Sequence, residues 1–210
     1  MTDQPDNGKR RRMPRADREQ QMLAVAEQVF AERGFRSASM DEIAERVGVT
    51  KPMLYAYFGS KDRLLLACVA RARAELREAT SSAIARADGP LDSLRRGLVA
   101  HFEYLDAHTQ TWAMLRNEGA AVGAVAAEIE AIRRQQTELI AQASRGFVAG
   151  TSTDSALIEV YAEMLVGATE RVSLWRERNP DITPEQAADL MVTVVWHGLA
   201  TILAATPAAG

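Results

Sequence analysis

Residues 39–61, SMDEIAERVGVTKPMLYAYFGSK, constrain this chain more than any other stretch. Ser39 is a helix cap, and Glu42 stands three residues on, where a carboxylate can return to the Ser39 N–H as a capping box. Met40, Ile43, Ala44 and Val47 recur at helical spacing and make one apolar face. Gly48 follows at once, the residue that tolerates the positive φ of a helix stop. Thr50 is a second cap, with Lys51 and Pro52 in the first turn, where a missing proline N–H costs nothing. Leu54 and Phe58 are four apart and point inward together, which leaves Lys51, Tyr55 and Tyr57 to face out. Gly59 ends this helix and Ser60 caps the next. A two-turn helix is not stable alone, so the pattern predicts one held by its neighbours and presented to a partner.

Composition sets the class. Sparse aromatics (6%), abundant alanine and few β-branched runs predict an all-α chain, and 210 residues are enough for a real core. The formal net charge is only −3, but residues 9–18 hold Lys9, Arg10, Arg11, Arg12, Arg15 and Arg18 against a single acid, Asp17. A basic end on an acidic remainder points to a polyanion contact confined to that end. Cys68 is the single cysteine, which excludes an intramolecular disulfide. No apolar run follows the basic start as a signal peptide requires, and no stretch reaches the length of a spanning helix. The expectation is a cytoplasmic protein without membrane contact.

Residues 1–15 read as a flexible basic arm, either a solubilising tail or a DNA-wrapping segment. A first helix over about 17–33 carries Met22, Leu23, Ala26, Val29 and Phe30, stops at Gly34, and lets Phe35 fold back. With the two helices of the opening stretch it closes a core of Val29, Phe30, Phe35, Ile43, Val47, Leu54 and Phe58. Further helices are expected over about 61–87, 91–107, 110–118, 120–146, 154–178 and 184–205, about nine in all, with a loop over 148–153. Thr183-Pro184-Glu185-Gln186 is a second capping box. The last helix is apolar over much of its surface and needs burial on more than one side, for which a second subunit is the simplest source. Gly167 and Gly198 offer a place for the last two helices to approach closely. The domain reading is an arm over 1–15, a helix-turn-helix head over 16–76 and a helical body over 77–210.

The pattern AVAEQVFAERGF…SMDEIAERVGVTKPMLYAYFGSKDRLL resembles the TetR family of bacterial transcription regulators over about Arg18–Leu66. Gly34-Phe35, Ile43-Ala44, Gly48-Val49, Leu54–Phe58 and Ser60-Lys61 fall at that family's spacing. The resemblance implies a three-helix DNA-binding head on an all-helical body, dimerised through the last two helices. It further implies a homodimeric repressor, released from a pseudo-palindromic double-stranded operator by a small, largely apolar effector. An activator or an effector-independent regulator of the same family is the alternative. Carried over residue by residue, Ser39 would donate to a phosphate. Thr50, Lys51, Pro52, Met53 and Tyr55 would face the major groove or its rim, and Tyr57 and Lys61 would hold phosphates. Ala38, Pro52 and Met53 depart from the common pattern; methionine offers apolar contact to a base rather than a hydrogen bond.

Helices over 61–178 would enclose the effector, with Phe102, Leu105, Trp112, Met114, Leu115, Tyr161 and Met164 as lining and His101, Asn117, Glu118 and Glu163 as polar candidates. No metal-ligand spacing is visible and no cofactor is expected. A small all-α enzyme and a helical interaction module are the rival classes. The first lacks a Gly-rich phosphate loop, GxSxG and HExxH. The second would not lose duplex DNA steeply as salt rises.

Overall fold

The computed structural model describes residues 13–109, 112, 123–147 and 155–205. Eight helices lie among them: α1 (Arg15–Arg33), α2 (Met40–Val47), α3 (Lys51–Phe58), α4 (Lys61–Ile84), α5 (Pro90–Ala107), α6 (Gly123–Phe147), α7 (Ser155–Glu177) and α8 (Pro184–Ala205). Residues 1–12 of the expected arm over 1–15, the loop over 148–153 and the helix over 110–118, Trp112 apart, lie outside the described residues, and Arg15 already belongs to α1. No strand occurs among those described. The chain divides into two compact units, residues 1–68 and 69–210, and the division falls inside α4.

In the first unit α1 packs on α2 and α2 on α3. All seven residues expected in this core are buried, and Met22, Leu23, Ala26, Leu64, Leu65 and Cys68 join them. Full burial of one large aliphatic or aromatic side chain contributes about 1.5–3 kcal/mol, so the core outweighs the poor intrinsic stability of its short helices. Gly34, at φ 74°, turns the chain out of α1 and donates to the Phe30 carbonyl at 2.9 Å. That turn returns the Phe35 ring to within 5.7 Å of Phe30. No L side chain adopts such a φ without strain.

In the second unit α5 packs along α8, α6 along α7, and α7 bridges to both α5 and α8. Leu98 and Phe102 of α5, Leu165 of α7, and Ala187, Ala188 and Met191 of α8 form the centre. The paired alanines of α8 add little bulk, so the α5 and α8 backbones lie close. The α8 cap forms in full: Thr183 N donates to Gln186 Oε1 at 3.0 Å, and Gln186 N donates back to Thr183 Oγ1 at 3.2 Å. Past Ile84 the chain tightens into i→i+3 bonds, so α4 ends short of the expected residue 87. Gly167 provides no close approach: a Cβ there would meet nothing within 4 Å. Gly198 lies where side-chain surroundings are not described.

A buried arginine ties the end of α7 to the rest. Arg176 donates to both Asp106 oxygens at 2.9 and 2.8 Å and to the Ile182 carbonyl at 3.1 Å, with its guanidinium 5.3 Å from the Phe102 ring centre. One side chain thereby fixes the C-terminal end of α5, the end of α7 and the turn into α8. Asp106→Ala orphans a buried charge and should cost about 1–3 kcal/mol, between the values for exposed and buried pairs. Asp106→Ala combined with Arg176→Met should cost less than Asp106→Ala alone. Denaturant midpoints of the three proteins check both statements.

Candidate nucleic-acid interface

Ser39, extended at φ −118° and ψ 148°, accepts from Glu42 N at 3.1 Å and caps α2. The reciprocal half of the expected capping box is not made. The Glu42 carboxylate accepts instead from Arg46 at 2.7 Å and Arg33 at 3.3 Å, charge-assisted bonds stronger than one to a backbone N–H. Gly48 leaves α2 at φ 78° and ψ 36°. Its N–H bonds the Glu45 carbonyl while Val49 N bonds Ala44, the paired closure that ends a helix in a tight left-handed turn. Two residues later Thr50 Oγ1 accepts from Met53 N at 3.4 Å, and α3 begins.

Leu54 and Phe58 clamp α3 to the core at 0% and 7% exposure. Lys51, Pro52, Met53, Tyr55 and Ala56 are exposed as a result. Tyr57 is half-buried, its ring 5.2 Å beneath the Arg15 guanidinium. Ser39 and Thr50 are exposed at the starts of α2 and α3, and each hydroxyl keeps its proton to donate outward. Thus Lys51, Pro52, Met53 and Tyr55 form the outer side of α3, Ser39 and Thr50 are exposed at two helix starts, and Tyr57 is half-buried.

Lys61 sits differently. Its ammonium donates to the carbonyls of Phe35 at 2.8 Å, Ala38 at 3.0 Å and Arg36 at 3.3 Å, and lies 4.5 Å from the Phe35 ring centre. An ammonium has three protons, and all three are used to hold the α1–α2 turn. Lys51 is also engaged: Nζ donates to Asp41 Oδ2 at 2.8 Å. That hydrogen bond, and then the Asp41 charge, hold its pKa above the ordinary lysine value, so it is cationic at any physiological pH. Arg46 pairs with Glu32 at 2.7 Å as well as with Glu42. The guanidinium groups of Arg36 and Arg63, both exposed, have no hydrogen bond or ion pair among the described residues. Sequence reasoning missed both. The available signal was position, Arg36 on the turn after Gly34-Phe35 and Arg63 in the first turn of α4.

The body disperses the expected effector residues. Phe102 is wholly buried in the α5–α7–α8 centre and Tyr161 packs partly against it. Leu105 and Trp112 are half-buried. Met164 is 69% exposed and borders an open cavity of 650 Å³ between α6 and α7, with Thr137, Ala141, Val160 and Glu163. Met114, Leu115, Asn117 and Glu118 lie outside the described residues. A second open cavity, of 510 Å³, lies between α4 and α5, lined by Ala83, Arg86, Arg96, Ala100, Tyr104 and His108 among others. There the Tyr104 and His108 rings stack at 4.0 Å, and the Tyr104 hydroxyl donates to Glu75 at 2.9 Å. The signal overlooked in the sequence is the four-residue spacing of Arg96, Ala100, Tyr104 and His108, a second stripe on α5 beside the leucine stripe. His101 is half-buried as a residue, yet its Nε2 is sealed from solvent with no hydrogen-bond partner among the described residues. Burial pushes its pKa down to about 4. Among the described residues no group of three or more His, Cys, Asp or Glu could hold a metal ion, and no helix is long and apolar enough to cross a membrane.

A three-helix head that ends in a capped, outward-facing two-turn helix, followed by a helical body, defines a helix-turn-helix regulator of transcription. The comparisons sharpen the class. Residues 22–68 match the family described as "Bacterial regulatory proteins, tetR family", and residues 90–198 match "Tetracyclin repressor-like, C-terminal domain". The HTH-type transcriptional activator FasR of Mycolicibacterium smegmatis is 30% identical over 206 residues, covering 94% of this chain and 91% of that protein. The HTH-type transcriptional repressor BepR of Brucella suis is 31% identical over 131 residues, 60% of this chain and 62% of its own. A TetR-like transcriptional regulator from Rhodococcus sp. RHA1 superposes with a TM-score of 0.69 at 37% identity, covering 90% of this chain and 99% of that one. The chain belongs to the TetR family of bacterial transcription regulators, a family of DNA-binding proteins and not of enzymes.

Lys61→Met should lower stability by about 1.5–3 kcal/mol, because it removes charged hydrogen bonds and leaves carbonyls unpaired. Below its melting range the variant should keep the wild-type slope of log affinity against log salt; a slope smaller by about one would make Lys61 a phosphate ligand. His101 gives a second test. Its folded pKa lies below the unfolded value, so the unfolded state binds the proton more tightly, and stability is lost as pH falls from about 6.5 towards 4. His101→Leu should flatten that part of the melting-temperature profile.

Proposed function

We propose that this regulator acts as a homodimer on a pseudo-palindromic duplex, as a repressor released by a small, largely apolar effector. The observation that carries the DNA reading is the outer side of α3, where Lys51, Pro52, Met53 and Tyr55 stand exposed on a helix held only from behind. In this reading Lys51 addresses guanine acceptors and Met53 a thymine methyl. Ser39, Thr50 and Tyr57 set the register on phosphates. Arg36 and Arg63 join them as unpaired cations. Lys61 acts through the α1–α2 turn that it holds. Residues 1–68 carry the DNA contact, residues 69–210 the effector site and the subunit contact, and the work takes place in the cytoplasm.

The dimer reading is supported by the outward residues of the last two helices. Val160 and Met164 on α7 are 53% and 69% exposed, Leu190 and Val194 on α8 56% and 76%. Apolar side chains so open, on helices whose inner faces are already packed, favour a second copy. For the effector, the favoured location is the body, where His101 Nε2, Trp112 Nε1 and Thr137 Oγ1 are buried with no hydrogen-bond partner among the described residues.

An activator is the second reading, because the relative that aligns over 94% of the chain is described as a transcriptional activator. A reporter placed behind a bound site decides between them: expression falls with added regulator if it represses and rises if it activates. Footprints of the purified protein should show two half-sites about 34–36 Å apart or a multiple of that. Lys51→Ala and Met53→Ala should alter the sequence preference, Tyr57→Phe should weaken all sequences about equally, and Val194→Glu should yield monomer in sedimentation. A single unpaired half-site, or wild-type behaviour of Val194→Glu, would count against the dimer.

A further inference from the structure

The contact between Lys51 and Asp41 joins the first residue of α3 to the first turn of α2 at 2.8 Å. The two side chains are 48% and 68% exposed. Nothing buries the pair, so it is free to open, and an exposed ion pair is worth little by itself. Its position gives it leverage. Asp41 occupies the start of α2, where free N–H groups and the helix dipole favour an anion. A DNA phosphate approaching Ser39 is attracted to the same place. On the proposed reading the carboxylate lies beside the phosphate that Ser39 would take, and Lys51 neutralises it.

We infer that Asp41 determines sequence specificity by acting as an internal counter-ion for Lys51. The inference rests on the reading that Lys51 faces DNA. Every duplex offers phosphates, and a free lysine would take them whatever the sequence. Here Lys51 must first leave a carboxylate, and when it leaves, Asp41 faces the phosphate backbone uncompensated. A phosphate contact only exchanges one anion for another and leaves that repulsion standing. Guanine O6 and N7, two acceptors within reach of one ammonium, supply the additional interaction. Three other cations of the head are already engaged, Arg46 by Glu32 and Glu42, Arg33 by Glu42, and Lys61 by three carbonyls, and no ion pair joins Arg36 or Arg63 to Asp41 among the described residues. Asp41 thus penalises non-specific association more than specific association.

The test uses the full chain and two duplexes: the one that wild-type protein selects from a randomised pool, and a shuffled duplex of the same composition. Affinities are measured across a salt series for wild type, Asp41→Asn, Lys51→Gln and the double variant. Asp41→Asn should tighten the shuffled duplex by about two- to fivefold, the scale of an exposed pair. It should tighten the selected duplex less, and steepen the shuffled-duplex salt slope by about one. In the Lys51→Gln background the change in selected-to-shuffled ratio should vanish. Asp41→Ser removes the same charge and should repeat the result, which separates the effect from any local refolding in one variant. An unchanged ratio in Asp41→Asn, or an equal change with and without Lys51, overturns the inference while leaving Lys51 at the DNA. Lys51→Gln with wild-type affinity for both duplexes also overturns it, by removing Lys51 from the interface altogether.

Discussion

The whole head depends on keeping α3 folded. Eight residues make about two turns, and a helix that short does not persist in water. Two buried side chains, Leu54 and Phe58, hold it from behind, and Thr50 and Gly59 fix its two ends. The core beneath must then be rigid, since any freedom in α1 or α2 passes directly to α3. That explains why so much of the first unit is devoted to caps and turns: the paired closure at Gly48, the return of Phe35 onto Phe30, and the triple anchor of Lys61. The outer side of α3 is what remains exposed once these constraints are met. On the proposed reading it can be short, because a few base contacts need only a few residues.

The same economy governs charge. The described part of the head carries eight lysines and arginines, and half of them are committed. Arg33 and Arg46 brace α1 against α2, Lys61 holds a turn, and Lys51 faces Asp41. Arg36 and Arg63 are left over, with Arg15 resting over Tyr57. Committed cations contribute rigidity and selectivity, whereas uncommitted ones contribute affinity and salt dependence.

Much of this was legible in the sequence, and the reason is that local chemistry decided it. Gly48, Thr50 and Ser60 each report a helix end through their own backbone preferences, and Leu54 and Phe58 report burial through spacing. The spans of α2, α3 and α8 follow from such signals. What was not legible involves choices between partners. Ser39 and Glu42 have the spacing of a capping box, as Thr183 and Gln186 do, yet only the second box closes in full. Glu42 had two arginines within reach, and one of them, Arg33, comes from another helix. Lys61 likewise reads, through the resemblance, as a phosphate contact until the Phe35–Ala38 carbonyls are folded against it. In the body the leucine stripe of α5 was visible, but the companion stripe ending in Tyr104 and His108 mixes arginine, alanine and aromatics. No periodicity of hydrophobicity marks such a face.

The head and the body differ in how far their polar atoms are satisfied. In a packed interior nearly every buried polar atom has a partner, because an unpaired one costs free energy. Buried side-chain atoms without a hydrogen bond among the described residues include His101 Nε2, Trp112 Nε1 and Thr137 Oγ1, all in residues 69–210. Among the described residues of the head, no buried side-chain polar atom is without a hydrogen bond. The body retains unspent donors and acceptors close to its core, and a neutral imidazole held near pKa 4 can both give and receive a hydrogen bond at pH 7. A molecule that pairs those atoms gains what the empty fold forgoes. On the proposed reading, a ligand of the body would gain by pairing these atoms, as the head's selectivity would follow from the commitments on its surface.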